Sequence, residues 1–223
     1  VRVKYPPAFR KIEATNRLKR AIGMAVEVGS RLHVSLGSAK VTDPANTSAM
    51  IGLSTLHRIG QLTSTSDLPP IATSGSGGLL ILSQDTLKKI SIETNTRAFY
   101  DPNHARMPGV TPFSYAAGTM QAIDNIGVNG NVLVGNFGSE AGLLCETLDK
   151  AKVAITGSDS ITAQAIFFAA TQDTLIGEEL YALPAYLSAN PAHQASLRVE
   201  DIFRVVIGIA LVVGALLKVI GIL

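Results

Sequence analysis

The chain has 223 residues, of which 47% are hydrophobic and only 16% are charged. This length suits one domain with additional segments, or at most two small domains. The net charge of +2 is too small to indicate a nucleic-acid-binding surface, and the low charged fraction, against roughly 25% in ordinary domains, indicates that part of the chain avoids water.

Residues 1–28 are predicted to form a basic amphipathic N-terminal helix. Apolar residues such as Leu18 and Ile22 recur at helical spacing. The first 20 positions hold one acid, Glu13, against the basic residues Arg2, Lys4, Arg10, Lys11, Arg17, Lys19 and Arg20. Two interpretations of this charge stay open: the helix lies against anionic lipid headgroups, or its basic face is simply solvated.

Residues 29–190 alternate short apolar runs with helical patterns, which predicts one α/β domain. Buried strands are predicted at 31–37, 69–75, 131–138 and 152–158. Helices are predicted at 46–64, 79–93, 113–126, 139–151 and 161–170, with an irregular stretch around Pro102, Pro108 and Pro112. Strands that are apolar throughout and alternate with helices indicate a doubly wound, mostly parallel sheet flanked by helices. The helix at 161–170 is apolar on almost every side, so we expect it to be buried, in part against a neighbouring subunit.

Residues 191–223 are predicted to be a linker followed by a transmembrane helix. The apolar stretch 202–223 would rise about 33 Å as a helix, enough to cross a hydrocarbon core of roughly 30 Å. Arg204 and Lys218 stand near its ends, where long basic side chains reach the headgroups. Ala210 and Gly214 form a small-xxx-small pair, a pattern typical of helices that associate in membranes.

Gly- and Ser-rich loops follow the predicted strands, each just before a helix. The carboxyl ends of parallel strands meet at one edge of a doubly wound sheet, and this edge is where ligands bind. Helix N-termini there attract anions. A small anionic ligand, such as a nucleotide, is therefore predicted to bind at Ser74, Gly75, Ser76, Gly135, Ser139, Gly157, Ser158, Asp159 and Ser160. The alternative interpretation is structural: the glycines make tight turns, and side chains such as Asp159 and Ser160 cap the helix that follows.

Motifs for catalysis and metal binding are absent from the sequence. There is no phosphate-binding P-loop and no G-x-S-x-G nucleophile elbow. His33 and His57 fall inside a predicted strand and helix, which is typical of packed or solvated histidines. With one cysteine, Cys145, no internal disulfide can form, and the scattered histidines give no zinc spacing, so we expect no metal and no cofactor. Hydrolysis through Ser158 or Ser160 stays a third hypothesis, because it needs a histidine brought close by folding.

Several strings together resemble a family of uncharacterised bacterial membrane proteins that is known only as a domain of unknown function. The strings are SRLHVSLG, LSQDTL, TPFSYAAGTM, GNFGSEAGLL, GSDSITAQAIFFAA, LIGEELYA and PAHQASLRVEDIFR. The resemblance implies one α/β domain held between an N-terminal hydrophobic segment, which would precede residue 1, and a C-terminal transmembrane helix. It implies no activity and therefore no catalytic residues.

The sequence favours a membrane-anchored scaffold without evident catalytic activity. We expect the bilayer and further copies of the chain as partners, no nucleic acid, and a domain on the cytoplasmic side of the bacterial membrane. The alternative hypothesis is a membrane-tethered domain that binds a small anion at its strand-end loops.

Overall fold

The computed structural model describes residues 12–43, 47–148, 151–187 and 191–220. The strands are β1 (Leu32–Gly37), β2 (Ile71–Thr73), β3 (Ala105–Arg106), β4 (Gly130–Asn136), β5 (Val153–Ser158) and β6 (Thr174–Leu175). The helices are α1 (Glu13–Val28), α2 (Thr47–Leu62), α3 (Gly77–Glu93), α4 (Pro112–Ile126), α5 (Ala141–Leu148), α6 (Ile161–Ala170), α7 (Glu178–Leu187) and α8 (Pro191–Ile220). Short 3-10 turns stand at Arg97–Phe99 and Pro102–His104.

All six strands are parallel and pair in the order β3-β2-β1-β4-β5-β6. The prediction of a doubly wound parallel sheet is therefore confirmed. Two strands, β3 and β6, were missed by the sequence interpretation, which treated the stretch around β3 as irregular. Each has only two residues, too few to show an alternating pattern.

Helices cover both faces of the sheet, and each face has its own apolar core. On one face, α1, α2, α3 and α7 bury aliphatic side chains against Leu32, Val34 and Leu36 of β1. On the other face, α4, α5 and α6 surround Leu133 of β4. There the rings of Phe137 and Phe167 meet edge to face, with centroids 5.5 Å apart.

Helix α1 covers residues 13–28 of the predicted N-terminal helix, and residues 1–11 lie outside the described residues. Its apolar face, including Leu18, Ile22 and Ala25, is buried in the core beside α7. Glycine at position 29 ends the helix with φ +67°, a conformation that other residues rarely adopt. The predicted boundaries at 28 and 190 and the contact of the basic segment with lipid stay predictions.

Helix α8 belongs to a second compact unit, separate from the unit that holds the sheet, residues 12–187. It begins at Pro191, ahead of the predicted start at residue 202. Its stretch Leu197–Val219 is long and apolar enough to cross a membrane, and none of that stretch is buried. Exposed side chains of this apolar character are what a lipid environment requires. The predicted transmembrane helix therefore has the length, composition and exposure of a membrane span.

Candidate functional site

The candidate site lies where the winding of the sheet changes direction, between β1 and β4. Successive strands add outward from β1 through β2 and β3, and then outward on the other side through β4, β5 and β6. Doubly wound sheets bind ligands outside the carboxyl ends of the strands at this position. The sequence-predicted site residues lie at the carboxyl ends of β4 and β5 and in the loops that follow β2, β4 and β5, and the structure brings all three loops to this edge.

Backbone hydrogen bonds join these loops beyond the ends of the strands. Gly75 donates its N–H to the carbonyl of Gly37 at 2.8 Å, and Ser38 donates to the carbonyl of Asn136 at 3.0 Å. Ser74, which is buried, donates to the carbonyl of Arg106 at 3.0 Å. Backbone hydrogen bonds therefore connect the loops along this edge from β3 to β4.

Asp159 joins three elements at this edge. Its Oδ2 accepts a hydrogen bond of 2.6 Å from the hydroxyl of Ser48, the second residue of α2, and its Oδ1 accepts one of 2.8 Å from Nδ2 of Asn136. The expectation that Asp159 and Ser160 cap α6 through their side chains is wrong. Ser160 is the N-cap residue of α6 but makes no side-chain cap hydrogen bond, and the carboxylate of Asp159 turns toward α2 instead.

Ser158 is a structural residue rather than an accessible nucleophile. Its Oγ accepts the N–H groups of Phe137 and Ser160, both at 3.2 Å, and the side chain is fully buried. Within the described ranges, the histidine hydrogen bonds involve other partners, since His33 contacts Thr73 and His57 contacts Glu93. The geometry gives no support to hydrolysis through Ser158.

Three of the predicted glycines are explained by close packing. A Cβ atom at Gly135 would stand 2.0 Å from the carbonyl oxygen of Leu36. At Gly75 it would stand 2.9 Å from Cβ of Ser38, and at Gly157 it would stand 2.9 Å from Cδ1 of Leu180. Gly135 and Gly75 need glycine because the backbone of β1 and of the loop after it lies close to them, whereas Gly157 lies against the side chain of Leu180 in α7.

The remaining predicted residues have different environments. Ser76 caps α3, because its Oγ accepts the N–H of Leu79, and this agrees with the capping interpretation. It also donates to the carbonyl of Ala39 at 2.8 Å. Ser139 is exposed in the loop between β4 and α5.

Sequence reasoning missed Ser38, Ser48, Asn136 and Glu140 as members of this edge. Glu140 is only 3% exposed, and its Oε1 accepts a 3.4 Å hydrogen bond from the hydroxyl of Ser38. The signal that could have found Glu140 is an acid that follows a glycine and a serine at a strand end. Ser48 carried no such signal, because only the fold brings α2 next to Asp159.

A layer of buried polar side chains lies beneath this edge, between the sheet and α4. Ser35 and Thr73 both contact the hydroxyl of Tyr115, and Thr73 contacts Nε2 of His33 at 2.9 Å. Burial lowers the pKa of His33 to about 4, and a hydrogen bond with the side chain of Asn131 opposes this shift. Burial also raises the pKa of Tyr115, against the hydrogen bonds from Ser35 and Thr73. Both groups are therefore neutral at physiological pH.

An open groove of about 830 Å³ lies at the opposite edge of the sheet, by the amino end of β5. Arg17, Arg20 and Lys152 line it together with apolar side chains, and Arg17 pairs with Asp173 at 3.3 Å. None of the sequence-predicted site residues lines this groove. Among the described residues, no three His, Cys, Asp or Glu side chains are grouped as a metal site would require.

Helix α6 carries a second candidate feature, an apolar outer surface. Ile161 and Phe168 are 85% and 68% exposed, and the small residues Ala165 and Ala169 are exposed on the same side. These four residues define the α6 face. In the single chain only the opposite side of α6, with Ala163 and Phe167, enters the core, so burial of the α6 face against a neighbouring subunit stays a prediction.

A family model described as "Domain of unknown function (DUF6754)" matches residues 2–223. The chain belongs to this family. The match extends from the basic N-terminal segment through the sheet to the end of the apolar C-terminal helix, so the α/β unit and α8 are parts of one family domain. Neither the curated proteins nor the solved structures contain a match to the chain.

Proposed function

We propose that this member of the family is a membrane-anchored scaffold, which assembles with further copies of itself through the α6 face and α8. The observation that carries the proposal is the exposure of Ile161 and Phe168 on a helix whose outer side has no charged residue. Exposed apolar surface of this kind is typical of interaction sites. The lipid bilayer and other copies are the proposed partners, and no nucleic acid is among them.

A second copy is the occupant that best fits the α6 face. The face is apolar and uncharged, so it is complementary to itself, and two copies related by a two-fold axis can pair the same surface. The ten-residue helix is only about 15 Å long, which gives less contact area than the roughly 800 Å² per partner of a stable interface. Assembly should therefore need a second contact outside the α6 face.

Helix α8 can supply this second contact. Anchoring in a membrane confines the copies and raises their effective concentration, so a weak contact becomes sufficient. Ala210 and Gly214 give α8 a side on which another helix backbone can approach closely. The proposed assembly therefore has two weak contacts that act together, one in the α/β unit and one in the membrane.

The proposed location of the α/β unit is the cytoplasmic face of a bacterial membrane. Support comes from the excess of Lys and Arg in the first 20 positions, on the condition that this basic run flanks a membrane segment, because basic residues next to such a segment favour the cytoplasmic side. Cysteine labelling tests this location. With Cys145 replaced by serine, an impermeant maleimide should label a cysteine placed at the exposed position Asp85 only after the cells are opened, and labelling of intact cells would contradict the proposed location.

The assembly is tested by the mass of the full chain in detergent and in lipid nanodiscs. We expect the natural chain to form an oligomer, and we expect the double substitution Ile161→Glu and Phe168→Glu to shift it toward the monomer. Each copy would bring two carboxylates into the interface without a partner, which opposes association.

Ile81→Glu is the matched control. Ile81 is an exposed aliphatic residue of α3, on the other face of the sheet, with 65% of its surface accessible. This variant should keep the mass of the natural oligomer. A natural chain that is monomeric in nanodiscs, or a double variant with unchanged mass, would contradict the proposed role of the α6 face.

A second candidate function is the binding of a small anion, such as a nucleotide, at the carboxyl edge of the sheet. The order of the strands favours this function. The N-terminus of α6 favours it too, because Ser160 makes no side-chain cap hydrogen bond there. Exposed Ser139 lies at the neighbouring loop. The negative charge of the Asp159 carboxylate would repel an anion bound next to α2. A thermal-shift screen of nucleotides, sugar phosphates and carboxylates tests this function, since a ligand of the native state must raise the melting temperature.

A further inference from the structure

The groove at the amino edge of the sheet combines positive charge with an apolar floor. Its volume of about 830 Å³ is within the range of about 300–1,000 Å³ that is typical of ligand sites. The cations that line it are Arg17, Arg20 and Lys152, and its apolar lining includes Met24 and Val153. A surface of this kind suits a ligand in which an anionic group is attached to an apolar body.

The three cations differ in how much of their charge is available to a ligand. Arg17 is held by the carboxylates of Asp173 and Glu13, at 3.3 and 3.7 Å. Arg20 and Lys152 are exposed, and neither takes part in an ion pair among the described residues. Arg20 and Lys152 are therefore the residues of the groove that can bind an anion.

The remaining charge in the groove, Glu27, limits where that anion can bind. Glu27 follows Arg20 by seven residues of α1, about 10 Å along the helix, so its negative charge lies toward the other end of the groove. Met24, which is 50% exposed, lies between them in the sequence. Val28, which is 70% exposed, continues the apolar surface into a smaller adjoining cavity that Met24 and Lys152 also line.

The path of the chain brings a lipid surface within reach of this edge. Helix α7 is buried along most of its length, and Leu180 near its start lies beside Gly157 at the carboxyl end of β5. The helix therefore runs back over the sheet and ends, at Leu187, toward the amino edge. Ten residues separate Leu187 from the start of the apolar stretch Leu197–Val219, and ten extended residues span at most about 35 Å.

We propose that the groove binds the headgroups of anionic phospholipids in the bilayer that holds α8, with Arg20 and Lys152 as the residues that contact phosphate. The inference rests on the proposed anchoring by α8 and does not depend on assembly through the α6 face. The guanidinium of Arg20 can donate two parallel hydrogen bonds to one phosphate, and the ammonium of Lys152 acts as a point charge.

A phospholipid fits the groove better than a free phosphate ion does. The ion would leave the apolar surface of Met24 and Val28 in contact with water, whereas the glycerol and the first part of the acyl chains cover it. The basic side of α1 thereby receives a lipid-binding role, to which Lys152 contributes from a distant part of the sequence.

A tryptophan placed in the groove tests the inference, because the natural chain contains none. The full chain with Met24→Trp is reconstituted in vesicles of phosphatidylcholine and phosphatidylglycerol whose acyl chains carry bromine near the glycerol. We expect the bromine atoms to quench the tryptophan fluorescence in these vesicles, and to quench it much less in vesicles of brominated phosphatidylcholine alone. Ile81→Trp is the matched control, since Ile81 is exposed on α3, which packs beside β3 at the far side of the sheet. Its fluorescence should not be quenched.

Removing the two cations from the Met24→Trp chain should release the lipid. Each Lys or Arg near an anionic surface favours binding about fivefold, so Arg20→Gln with Lys152→Gln should weaken binding by about thirtyfold and remove most of the quenching. Lys88→Gln with Lys89→Gln removes the same charge from exposed positions of α3 and should leave the quenching unchanged. Equal quenching with and without Arg20 and Lys152, or equal quenching in the two kinds of vesicle, would overturn the proposal.

Flotation of the same vesicles separates a failure of this inference from a failure of the proposed function. A Met24→Trp chain that floats with the vesicles but is not quenched keeps its anchor, and this result would overturn only the lipid site. A chain that does not float lacks the anchor, and this result would overturn the proposed anchoring together with the lipid site.

Discussion

The hydroxyl of Ser48 on α2 donates to Oδ2 of Asp159 across 2.6 Å, and this contact joins α2 to the loop after β5, over the end of β4. Helix N-termini favour negative charge, and in doubly wound folds this position commonly holds a phosphate of the ligand. The carboxylate of Asp159 supplies that negative charge from within the chain. The edge of the sheet next to α2 is therefore stabilised without an external anion, which favours an architectural role for these loops.

Removing the carboxylate should destabilise the α/β unit. Asp159→Ala leaves the fully buried hydroxyl of Ser48 without its acceptor and frees Nδ2 of Asn136. We expect a loss of about 1–3 kcal/mol in the free energy of unfolding, measured by urea unfolding of the full chain in detergent. Asp159→Asn should lower the free energy of unfolding by less, because its amide oxygen still accepts one of the two hydrogen bonds.

Asp85→Ala is the control for that series, since Asp85 is exposed on α3. It should change the free energy of unfolding by no more than about 0.5 kcal/mol. Equal effects of the two alanine substitutions would mean that Asp159 does not join α2 to β5 in solution.

Gly135 should not tolerate a methyl group, because its environment is backbone rather than a space for ligand. Gly135→Ala would place Cβ 2.0 Å from the carbonyl oxygen of Leu36 and force β1 and β4 apart. We expect a loss of at least about 3 kcal/mol in the free energy of unfolding, or failure to fold. Gly23→Ala is the control, because no atom lies within 4 Å of the added methyl group and alanine favours the α1 helix by up to about 1 kcal/mol. A Gly135→Ala variant as stable as the natural chain would contradict the close approach of the two strands.

Stability should fall in mild acid because His33 is buried as the neutral form. Its pKa is lowered from 6.5 in the unfolded chain to about 4 in the folded one, so the unfolded chain binds the proton more readily. The resulting contribution, at most about 3 kcal/mol, is complete above pH 6.5 and is lost as the pH falls toward 4. The urea midpoint of the natural chain should therefore decrease over that range more steeply than that of His33→Gln. Parallel curves for the two proteins would show that His33 does not titrate in this way.

Charges in the middle of α8 should prevent its insertion into the membrane. Leu211→Arg together with Val212→Arg adds roughly 5–7 kcal/mol to the free energy of insertion, since each arginine near the centre adds about 2.5–3.5 kcal/mol. We expect this variant in the carbonate-soluble fraction of membranes and the natural chain in the pellet. Leu211→Ile with Val212→Ile keeps the hydrophobicity and should remain in the pellet. A pelleted arginine variant would indicate that α8 is not the membrane anchor.

Local patterns in the sequence were sufficient for the main elements. The mostly apolar run of β1 predicted a strand buried on both faces, and the long apolar stretch of α8 predicted a membrane span. Both properties depend only on neighbouring residues, because burial of a whole strand and a helix in lipid each require mostly apolar side chains within one segment. The cap that Ser76 forms is local in the same way, since it involves residues three positions apart.

The roles of the other site residues depended on contacts between distant parts of the chain. Asp159 was expected to cap the helix that follows it, yet its carboxylate contacts Ser48, 111 residues away. Gly135 resembled a ligand-binding turn, and only the neighbouring strand revealed that a side chain has no room there. Short β3 and β6 could not be found from their own residues, because a two-residue strand is defined by its hydrogen bonds to a neighbour.

By itself, the sequence determined the alternation of buried strands and helices and the apolar C-terminal helix, because hydrophobic periodicity is encoded within each segment. Only the tertiary structure decided the strand order, the partners of Asp159 and which side of α6 stays exposed. The helix α6 is apolar on nearly every side, so its composition alone cannot distinguish the side that packs on the sheet from the side with Ile161 and Phe168. That choice is made by the shape of the surrounding fold, since Phe167 enters the space beside Phe137 and turns the remaining apolar residues outward.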